Sequence, residues 1–155
     1  MRIYHLTREQ FLPVSIDKAW GFFSSPGNLS DITPPGMGFT ILSQFTGEPI
    51  HTGMKIDYIV KPLLNIPLKW TTEITWVMEP YTFIDKQAKG PYALWEHTHT
   101  FSEVPGGVRM VDEVLYAMPL GILGRLVHFL VVNKKLKDIF DFRRDKLQQL
   151  FGKFK

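Results

Sequence analysis

Two histidines and two large aromatic residues occupy every second position in one segment of the chain, which we predict to be a strand over residues 92–104. Strict alternation brings Trp95, His97, His99 and Phe101 to the same face of that strand. The other face carries glutamate and threonine, which suit contact with water. Because a plain core would have valine and leucine at the inward positions, we expect this part of the sheet to line a cavity.

The chemistry of His97 and His99 is open to three interpretations. They are packing residues with satisfied hydrogen bonds, or polar anchors for a ligand, or acid–base groups that act on a bound substrate. In the anchoring role, Asp112 would fix an imidazole tautomer and Tyr116 would donate a hydrogen bond. A His-x-His pair also aims two imidazoles at one point, as zinc requires, with Asp112 as a possible third ligand. No other histidine is placed to join them, so we expect no metal.

The position of Asp112 depends on the turn before its strand. A two-residue turn made of the glycines at 106–107 suits the positive φ that such turns prefer. That register pairs His99 with Val114 and turns Asp112 and Tyr116 towards the histidine face. A three-residue loop would instead turn Asp112 outwards. We predict the first register because it also turns apolar side chains inwards.

The strand predicted over residues 67–78 has mostly apolar residues at even positions, among them Trp70 and Trp76. We expect both indoles to face inwards, where core packing and ligand contact are equally open roles. Asp85 shares a strand face with aromatic residues, but the turn that follows its strand does not define a register. We therefore expect Asp85 at the rim of the cavity or at the surface.

The period of the apolar residues separates predicted strands from predicted helices. A helix should begin after Ser15, a good N-cap residue, and end at the Ser-Ser-Pro-Gly segment at 24–27. The predicted order is a strand at 2–12, that helix, a second short helix at 26–31, strands near 38–46, 53–60, 67–78, 81–89, 92–104 and 107–117, and a long helix at about 120–151.

The long C-terminal helix carries apolar residues at spacings of three and four. Its first half, from Ile122 to Val132, is apolar nearly all round. We expect this half to be the more deeply buried one, because a helix that is apolar on every side is usually enclosed. Leu123, Val127 and Leu130 would then close the cavity.

Composition limits both the chemistry and the compartment. With 155 residues the chain is long enough for one domain with its own core, and with no cysteine it has neither disulfides nor thiolate catalysis. The first residues lack the basic start and apolar run of a signal peptide, so we expect a cytoplasmic protein. No serine stands in a nucleophile elbow and no glycine-rich phosphate loop is present, so we expect no cofactor.

Positive charge is concentrated near the C-terminal end. Residues 134–155 hold eight of the 18 lysines and arginines and three of the 15 acidic residues, while the whole chain has a net charge of +3. Such a segment can dock on an anionic membrane. We favour a solvated helix face, since opposite charges stand four apart, as in Lys134 and Asp138. No aromatic residues interleave with these charges, so we expect no nucleic-acid partner.

Two segments carry a family resemblance: PVSIDKAWGFF at 13–23 and GPYALWEHTHTF at 90–101. Together with Asp112, Tyr116 and Pro119, they resemble the START-like and birch-pollen-allergen-like superfamily, also called SRPBCC. Within it the chain is similar to a bacterial ligand-binding branch related to polyketide cyclases and lipid-transport proteins. Similar domains occur alone or ahead of a nucleotide-sugar-epimerase-like domain, and this chain resembles the stand-alone version.

The resemblance implies an α+β helix-grip fold with one domain over residues 1–155. In that fold a strand, two short helices and six further antiparallel strands wrap around a long C-terminal helix, with an apolar cavity between. Members bind lipids, sterols, polyketides or quinones, and some cyclise or dehydrate polyketides. We predict a small, largely hydrophobic ligand. The predicted ligand contacts are Trp70, Trp76, Trp95, His97, His99, Phe101, Asp112, Tyr116, Leu123 and Val127. The alternative is a cyclase- or dehydratase-type enzyme that uses His97 or His99 with Asp112 or Tyr116 as acid–base groups.

Overall fold

The computed structural model describes residues 1–62 and 64–155, and its framework is one seven-stranded sheet. The strands are β1 (Ile3–Leu12), β2 (Thr40–Ile41), β3 (Lys55–Val60), β4 (Leu68–Met78), β5 (Thr82–Lys89), β6 (Leu94–Val104) and β7 (Gly107–Ala117). Neighbouring strands are antiparallel throughout, and their order in the sheet is β1-β7-β6-β5-β4-β3-β2. The predicted antiparallel sheet of an α+β fold is therefore confirmed.

Helical segments stand at both ends of this sheet sequence. Helix α1 (Ile16–Phe23) follows β1, and two short 3₁₀ segments follow at Pro26–Ile32 and Pro35–Met37. The C-terminal helix has two α-helical parts, α2 (Gly121–Val127) and α3 (Asn133–Phe151), joined by a π-helical turn at His128–Val132. Among the residues that the structure describes, no helix is both long and apolar enough to cross a bilayer.

Helix α1 begins at the predicted N-cap. The Ser15 side chain accepts a hydrogen bond from the backbone N–H of Lys18 at 3.2 Å, which satisfies one of the free donors of the first turn. Ile16, Ala19 and Trp20 form its buried face. Because the indole packs edge-on against aromatic rings of β5 and β6, the helix covers one end of the inner face of the sheet.

Strand β2 is shorter than predicted. Of residues 38–46, only Thr40–Ile41 pairs with β3. The backbone N–H groups of Leu42 and Ser43 both donate to the carbonyl of Asp57, at 2.8 and 3.3 Å. Two donors on one acceptor break the one-to-one pattern of an antiparallel ladder, so the strand ends there.

The hairpin between β6 and β7 turns one position earlier than predicted. Val104 pairs with Gly107, so that His99 lies opposite Asp112 rather than opposite Val114. The glycine before Gly107 takes the positive φ of the turn, 89°, while a Cβ on Gly107 itself would overlap the backbone at the end of β1. The predicted register was therefore wrong by two positions. A shift of two keeps every side chain on its face, so Asp112 still points inwards as predicted.

The C-terminal helix is buried in the opposite way to the prediction. In its first half five large apolar side chains are each more than half exposed: Ile122, Leu123, Leu126, Phe129 and Leu130. The buried positions of this half are Gly124, His128 and, at its end, Val132. A helix that lies on a sheet buries one stripe, so a segment that is apolar all round leaves its other side exposed. In α3 the stripe of Leu136, Phe140 and Leu147 is buried as predicted.

Candidate functional site

A cavity of about 260 Å³ lies between the inner face of the sheet and the C-terminal helix. Its wall is mostly apolar and aromatic and includes Phe39, Ile56, Trp70, Trp95, Val132 and Leu136. The volume is just below the ~300–1,000 Å³ typical of small-molecule pockets. The interior between sheet and helix therefore has room for a small molecule and is not filled by the large aromatic side chains.

Four polar side chains form a buried group that we call the carboxylate–histidine cluster: Asp85, His97, His99 and Asp112. Strand pairing brings them together, since His97 lies opposite Asp85 and His99 opposite Asp112. Asp112 Oδ1 lies 2.9 Å from His97 Nε2 and 3.0 Å from His99 Nδ1. Asp85 Oδ2 lies 2.8 Å from His99 Nε2 and 3.9 Å from His97 Nδ1. Each imidazole therefore lies between the same two carboxylates.

The members of this cluster differ in their access to the cavity. Asp85, His97 and His99 are part of the cavity wall, whereas Asp112 lies behind them and is 3% exposed. Asp85 is the most accessible of the four, with 15% of its side chain exposed. A molecule in the cavity can thus contact one carboxylate and the edges of two imidazoles, and the second carboxylate holds those imidazoles from behind.

Burial and hydrogen bonding oppose each other in the pKa values of the cluster. Burial alone would raise the pKa of Asp112, but the hydrogen bonds from His97 and His99 hold it well below its usual range. Burial opposes the charged form of His99, yet the hydrogen bonds to Asp112 and Asp85 raise its pKa above the ordinary value. Burial, followed by the neighbouring His99, lowers the pKa of His97. Hydrogen bonding therefore outweighs burial at Asp112 and His99, whereas burial dominates at His97.

The cavity wall also includes polar side chains that were not predicted, among them Tyr58, Thr72 and Arg143. The Tyr58 hydroxyl lies 3.0 Å from Thr72 Oγ1, and Trp70 Nε1 donates to the same oxygen at 3.1 Å. Burial raises the pKa of Tyr58, so its hydroxyl is neutral. Arg143 Nε is buried and has no hydrogen-bond partner among the described residues. The alternation that identified Trp70 could also have identified Thr72, which is two positions further along β4.

Tyr116 belongs to a separate buried group, which we call the tyrosine–histidine cluster: Tyr4, Tyr116 and His128. The Tyr116 hydroxyl and His128 Nε2 are hydrogen-bonded at 2.8 Å, and the Tyr4 ring stacks on the imidazole with centroids 3.5 Å apart. Val127 packs against the same core, half-buried. Burial and the nearby Arg2 lower the pKa of His128. Neither Tyr116 nor Val127 is part of the described cavity wall.

The remaining predicted contacts divide into three groups. Trp70, Trp95, His97 and His99 lie on the cavity wall. Asp112 lies behind it, as does Phe101, which is 1% exposed and packs among the aromatic rings of α1 and β5. Trp76 and Leu123 point away from it.

The inward orientation predicted for Trp76 was wrong. Its side chain is 53% exposed. The pairing of β4 with β5 shifts between Ile74 and Trp76, and such a β-bulge reverses the face on which the following side chains lie. Leu123 does not close the cavity either, because it is 59% exposed while its neighbour Gly124 is the buried residue of α2.

Asp85 lies on the cavity wall, although we expected it at the rim or at the surface. The contacts that hold this register join the end of β5 to the connection that leads to β6. Gln87 Nε2 donates to the carbonyl of Tyr92 at 2.9 Å, and the backbone N–H of Tyr92 donates to Gln87 Oε1 at 3.1 Å. This reciprocal pair holds the connection to β6 in one conformation, in which Asp85 faces His97.

Neither a known protein-family profile nor any curated protein matches the sequence. Solved structures match the fold over nearly the whole chain. Protein CV1439 from Chromobacterium violaceum has a TM-score of 0.72 at 9% identity and covers 96% of this chain and 96% of its own. Ara h 8.0201 has a TM-score of 0.62 at 14% identity and covers 96% of this chain and 99% of its own.

A third structure shows the same fold within a larger protein. The nucleoside-diphosphate sugar epimerase from Corynebacterium glutamicum has a TM-score of 0.65 at 21% identity, and the match covers 93% of this chain but 28% of the epimerase chain. At such low identities the likeness concerns the fold. Seven antiparallel strands and a long C-terminal helix, matched over 96% of this chain by Ara h 8.0201, confirm the predicted helix-grip fold.

Proposed function

We propose that the chain binds a small, mainly apolar molecule that carries one polar group. The observation that supports this most directly is the cavity of about 260 Å³, which is apolar except where Asp85, His97 and His99 reach it and at a few neighbouring polar groups. Burial of apolar ligand surface stabilises the complex by ~25 cal/mol per Å². The few placed polar groups would orient the ligand and select it, as in most small-molecule sites.

The polar group of the ligand is best matched by a hydroxyl, a phenol or an enol. Asp85 offers a hydrogen-bond acceptor to the cavity, while Tyr58 and Arg143 offer donors. A hydroxyl both donates and accepts, so it satisfies the two kinds of partner together. A carboxylate could accept from Arg143, but it would bring a second negative charge next to Asp85 and has no proton to donate to it.

A matched pair of ligands tests this proposal: a hydroxylated aromatic compound and its methyl ether, which has the same shape but no O–H donor. Binding is followed by quenching of the cavity tryptophans Trp70 and Trp95. In the unaltered protein we expect the hydroxyl form to bind about tenfold or more tightly, since an unpaired buried polar group costs ~1–3 kcal/mol. In Asp85→Asn that preference should largely disappear. Equal affinity of both compounds for the unaltered protein would contradict the proposed orientation.

Acid–base chemistry on the bound molecule is a second candidate function. The observation in its favour is that His99 Nε2 lies 2.8 Å from Asp85 Oδ2 on the cavity wall, with Asp112 holding both histidines from behind. In that case the acid–base groups would be His97, His99 and Asp85, whereas Tyr116 lies outside the described cavity wall. A bell-shaped pH dependence of turnover would support it. If every bound compound is recovered unchanged, the chain binds its ligand and does not catalyse a reaction on it.

A further inference from the structure

The carboxylate–histidine cluster has the arrangement of a metal site. We propose that Asp85, His97 and His99 bind one divalent transition-metal ion, with Asp112 as the residue that orients both histidines. One ligand atom from each of the three residues lies within 4.8 Å of the others, and all three residues are on the cavity wall.

The hydrogen-bond directions of the two imidazoles support this assignment. Asp112 Oδ1 faces His97 Nε2 at 2.9 Å and His99 Nδ1 at 3.0 Å, so both N–H groups can point at one carboxylate. A neutral imidazole with one nitrogen protonated has a lone pair on the other. The two remaining nitrogens, His97 Nδ1 and His99 Nε2, lie 3.9 and 2.8 Å from Asp85 Oδ2. With both imidazoles neutral and protonated on the side of Asp112, three lone pairs would converge on one region, and a metal cation there would replace the hydrogen bond between His99 Nε2 and Asp85 Oδ2 at 2.8 Å.

His99 adds a second, independent observation. Its Nδ1 is buried and lacks a well-aligned hydrogen bond, although Asp112 Oδ1 is only 3.0 Å away. In metal sites a histidine ligand almost always donates its other N–H to such a carboxylate, which fixes the tautomer and the ring orientation.

The distances and the donor types define the kind of ion. Two ligands of a tetrahedral ion with bonds of about 2.1 Å are about 3.4 Å apart. The separations of 2.8 and 3.9 Å from Asp85 Oδ2 lie on either side of that value, so modest side-chain shifts suffice. Two imidazoles and one carboxylate suit Zn²⁺, Fe²⁺, Co²⁺ or Ni²⁺ better than Mg²⁺ or Ca²⁺. Three protein ligands leave a fourth position, which faces the cavity and could take the polar group of a ligand.

Titration of the metal-free protein with Co²⁺, and then with Zn²⁺, tests this inference. We expect one equivalent of Co²⁺ to bind with the visible absorption of a four-coordinate site, and Zn²⁺ to abolish that absorption. His97→Gln and His99→Gln should each lose saturable binding. Asp112→Asn should retain it with about 10–100-fold lower affinity, because it removes an orienting partner and not a ligand. His128→Gln is the matched control, a buried histidine outside the cluster, and should bind as the unaltered protein does.

Two outcomes would overturn the metal site: no Co²⁺ absorption in the unaltered protein, or unchanged absorption in the double variant His97→Gln, His99→Gln. If the histidine variants do not fold, Asp85→Asn replaces them as the test of the same site, since Asp85 is the most accessible member of the cluster. The metal site shares Asp85, His97 and His99 with the ligand contacts of the proposed function, so the two proposals are tested separately. Binding of hydroxylated ligands measured in the presence of a chelator shows whether the cavity works without metal, so the two proposals can fail separately.

The first half of the C-terminal helix carries a different feature, which we call the apolar patch. Its six side chains are 52–77% exposed: Leu120, Ile122, Leu123, Leu126, Phe129 and Leu130. A contiguous exposed apolar surface of this kind marks an interaction site in most proteins. Arg125, Lys134, Lys135 and Lys137 lie within or beside it, and residues 114–137 contain no acidic residue.

We infer that the apolar patch docks on an anionic lipid surface. Amphipathic segments bind membranes by burying an apolar face while basic side chains contact anionic headgroups, and this segment has both parts. Lys134 is paired with Asp138 at 2.7 Å, and a symmetric contact between two copies would bring the remaining cations together, which is unfavourable. The same segment supplies Val131 and Val132 to the cavity wall, so docking would bring the cavity close to the lipid.

Co-sedimentation with vesicles tests this second inference. We expect the protein to bind vesicles that contain phosphatidylglycerol, to bind pure phosphatidylcholine weakly, and to dissociate as salt is raised. Arg125→Gln with Lys137→Gln should lower the partition coefficient roughly 30-fold, since each basic residue near such a surface contributes ~1 kcal/mol. Leu126→Ser with Phe129→Ser should reduce it as well, whereas Leu150→Ser, an exposed position at the far end of the helix, should not. Failure to bind anionic vesicles at low salt, or a dimer in solution that Phe129→Ser dissociates, would overturn the inference.

Discussion

The carboxylate–histidine cluster and the tyrosine–histidine cluster are two buried histidine sites with different chemistry. Both contain short hydrogen bonds: His97 to Asp112 at 2.9 Å in the first, and His128 to Tyr116 at 2.8 Å in the second. In the first cluster the partners are carboxylates and the side chains face the cavity. In the second the partners are tyrosines, and the ring of Tyr4 covers the imidazole.

The difference between the two clusters lies in charge and access, and not in burial. Carboxylates raise the pKa of His99 in spite of its burial, whereas burial and Arg2 lower the pKa of His128. An imidazole held between carboxylates beside a cavity can interact with a ligand, while an imidazole under a tyrosine ring contributes packing and one hydrogen bond. Burial alone would therefore not distinguish a functional histidine from a structural one.

The largest expected contrast is in stability. Asp112→Asn removes the charge that both histidines of its cluster face, and breaking a buried charged pair costs about 3–5 kcal/mol. Tyr116→Phe leaves one imidazole nitrogen unpaired, which costs about 1–2 kcal/mol. Urea denaturation followed by circular dichroism measures both values. Equal losses in the two variants would show that the clusters do not differ in charge.

The next contrast is in ligand affinity. His99→Gln should weaken the binding of a hydroxylated ligand about tenfold or more, since it changes a polar group of the cavity wall. His128→Gln and Tyr116→Phe should leave the affinity within about twofold, because their side chains are outside the wall. Fluorescence titration of the three variants checks this expectation. A loss of affinity in Tyr116→Phe equal to that in His99→Gln would indicate that Tyr116 contacts the ligand.

A smaller effect concerns pH. Because the pKa of His128 is lowered in the folded chain, its proton binds more readily to the unfolded chain. The stabilising contribution of the neutral imidazole is fully present above about pH 6.5 and is lost as the pH falls through the folded-state pKa. The melting temperature of His128→Gln should thus decline less between about pH 7.5 and pH 5 than that of the unaltered protein. Parallel curves for the two proteins would argue that His128 titrates normally.

The smallest effects are expected where predicted contacts lie outside both clusters. Trp76→Phe and Leu123→Ala change side chains that are more than half exposed. Substitutions at such positions usually change stability by no more than about 0.5 kcal/mol. Thermal unfolding and ligand titration should therefore both match the unaltered protein. A large loss of affinity in Trp76→Phe would indicate that β4 turns its second tryptophan inwards when a ligand is bound.

The parts of the fold that follow from local patterns were predictable from sequence. The N-cap at Ser15, the strands β4 to β7 and the inward direction of His97 and His99 depend on spacing and capping within single segments. Asp112 was placed on the correct face because the true register differs from the predicted one by two residues. A shift of one would have turned it outwards.

The parts that were not predictable depend on contacts between segments. The bulge after Ile74 exposes Trp76, and no pattern of residues within β4 predicts that bulge. The inward position of Asp85 follows from the side chain of Gln87 bracing the next turn. The exposed half of the C-terminal helix could not be recognised, because an apolar segment looks the same whether the fold encloses it or not.

Native mass spectrometry tests the central claim, that the cavity binds a small apolar molecule, most directly. Protein purified gently from its own host is compared with two variants. Val131→Trp adds a large ring that should fill the cavity, and Leu123→Trp adds the same ring on the exposed side of the helix. We predict one small molecule, or stoichiometric uptake of a hydroxylated apolar compound, in the unaltered protein and in Leu123→Trp, and none in Val131→Trp. Absence of any bound compound in all three, or equal uptake by Val131→Trp, would contradict the account.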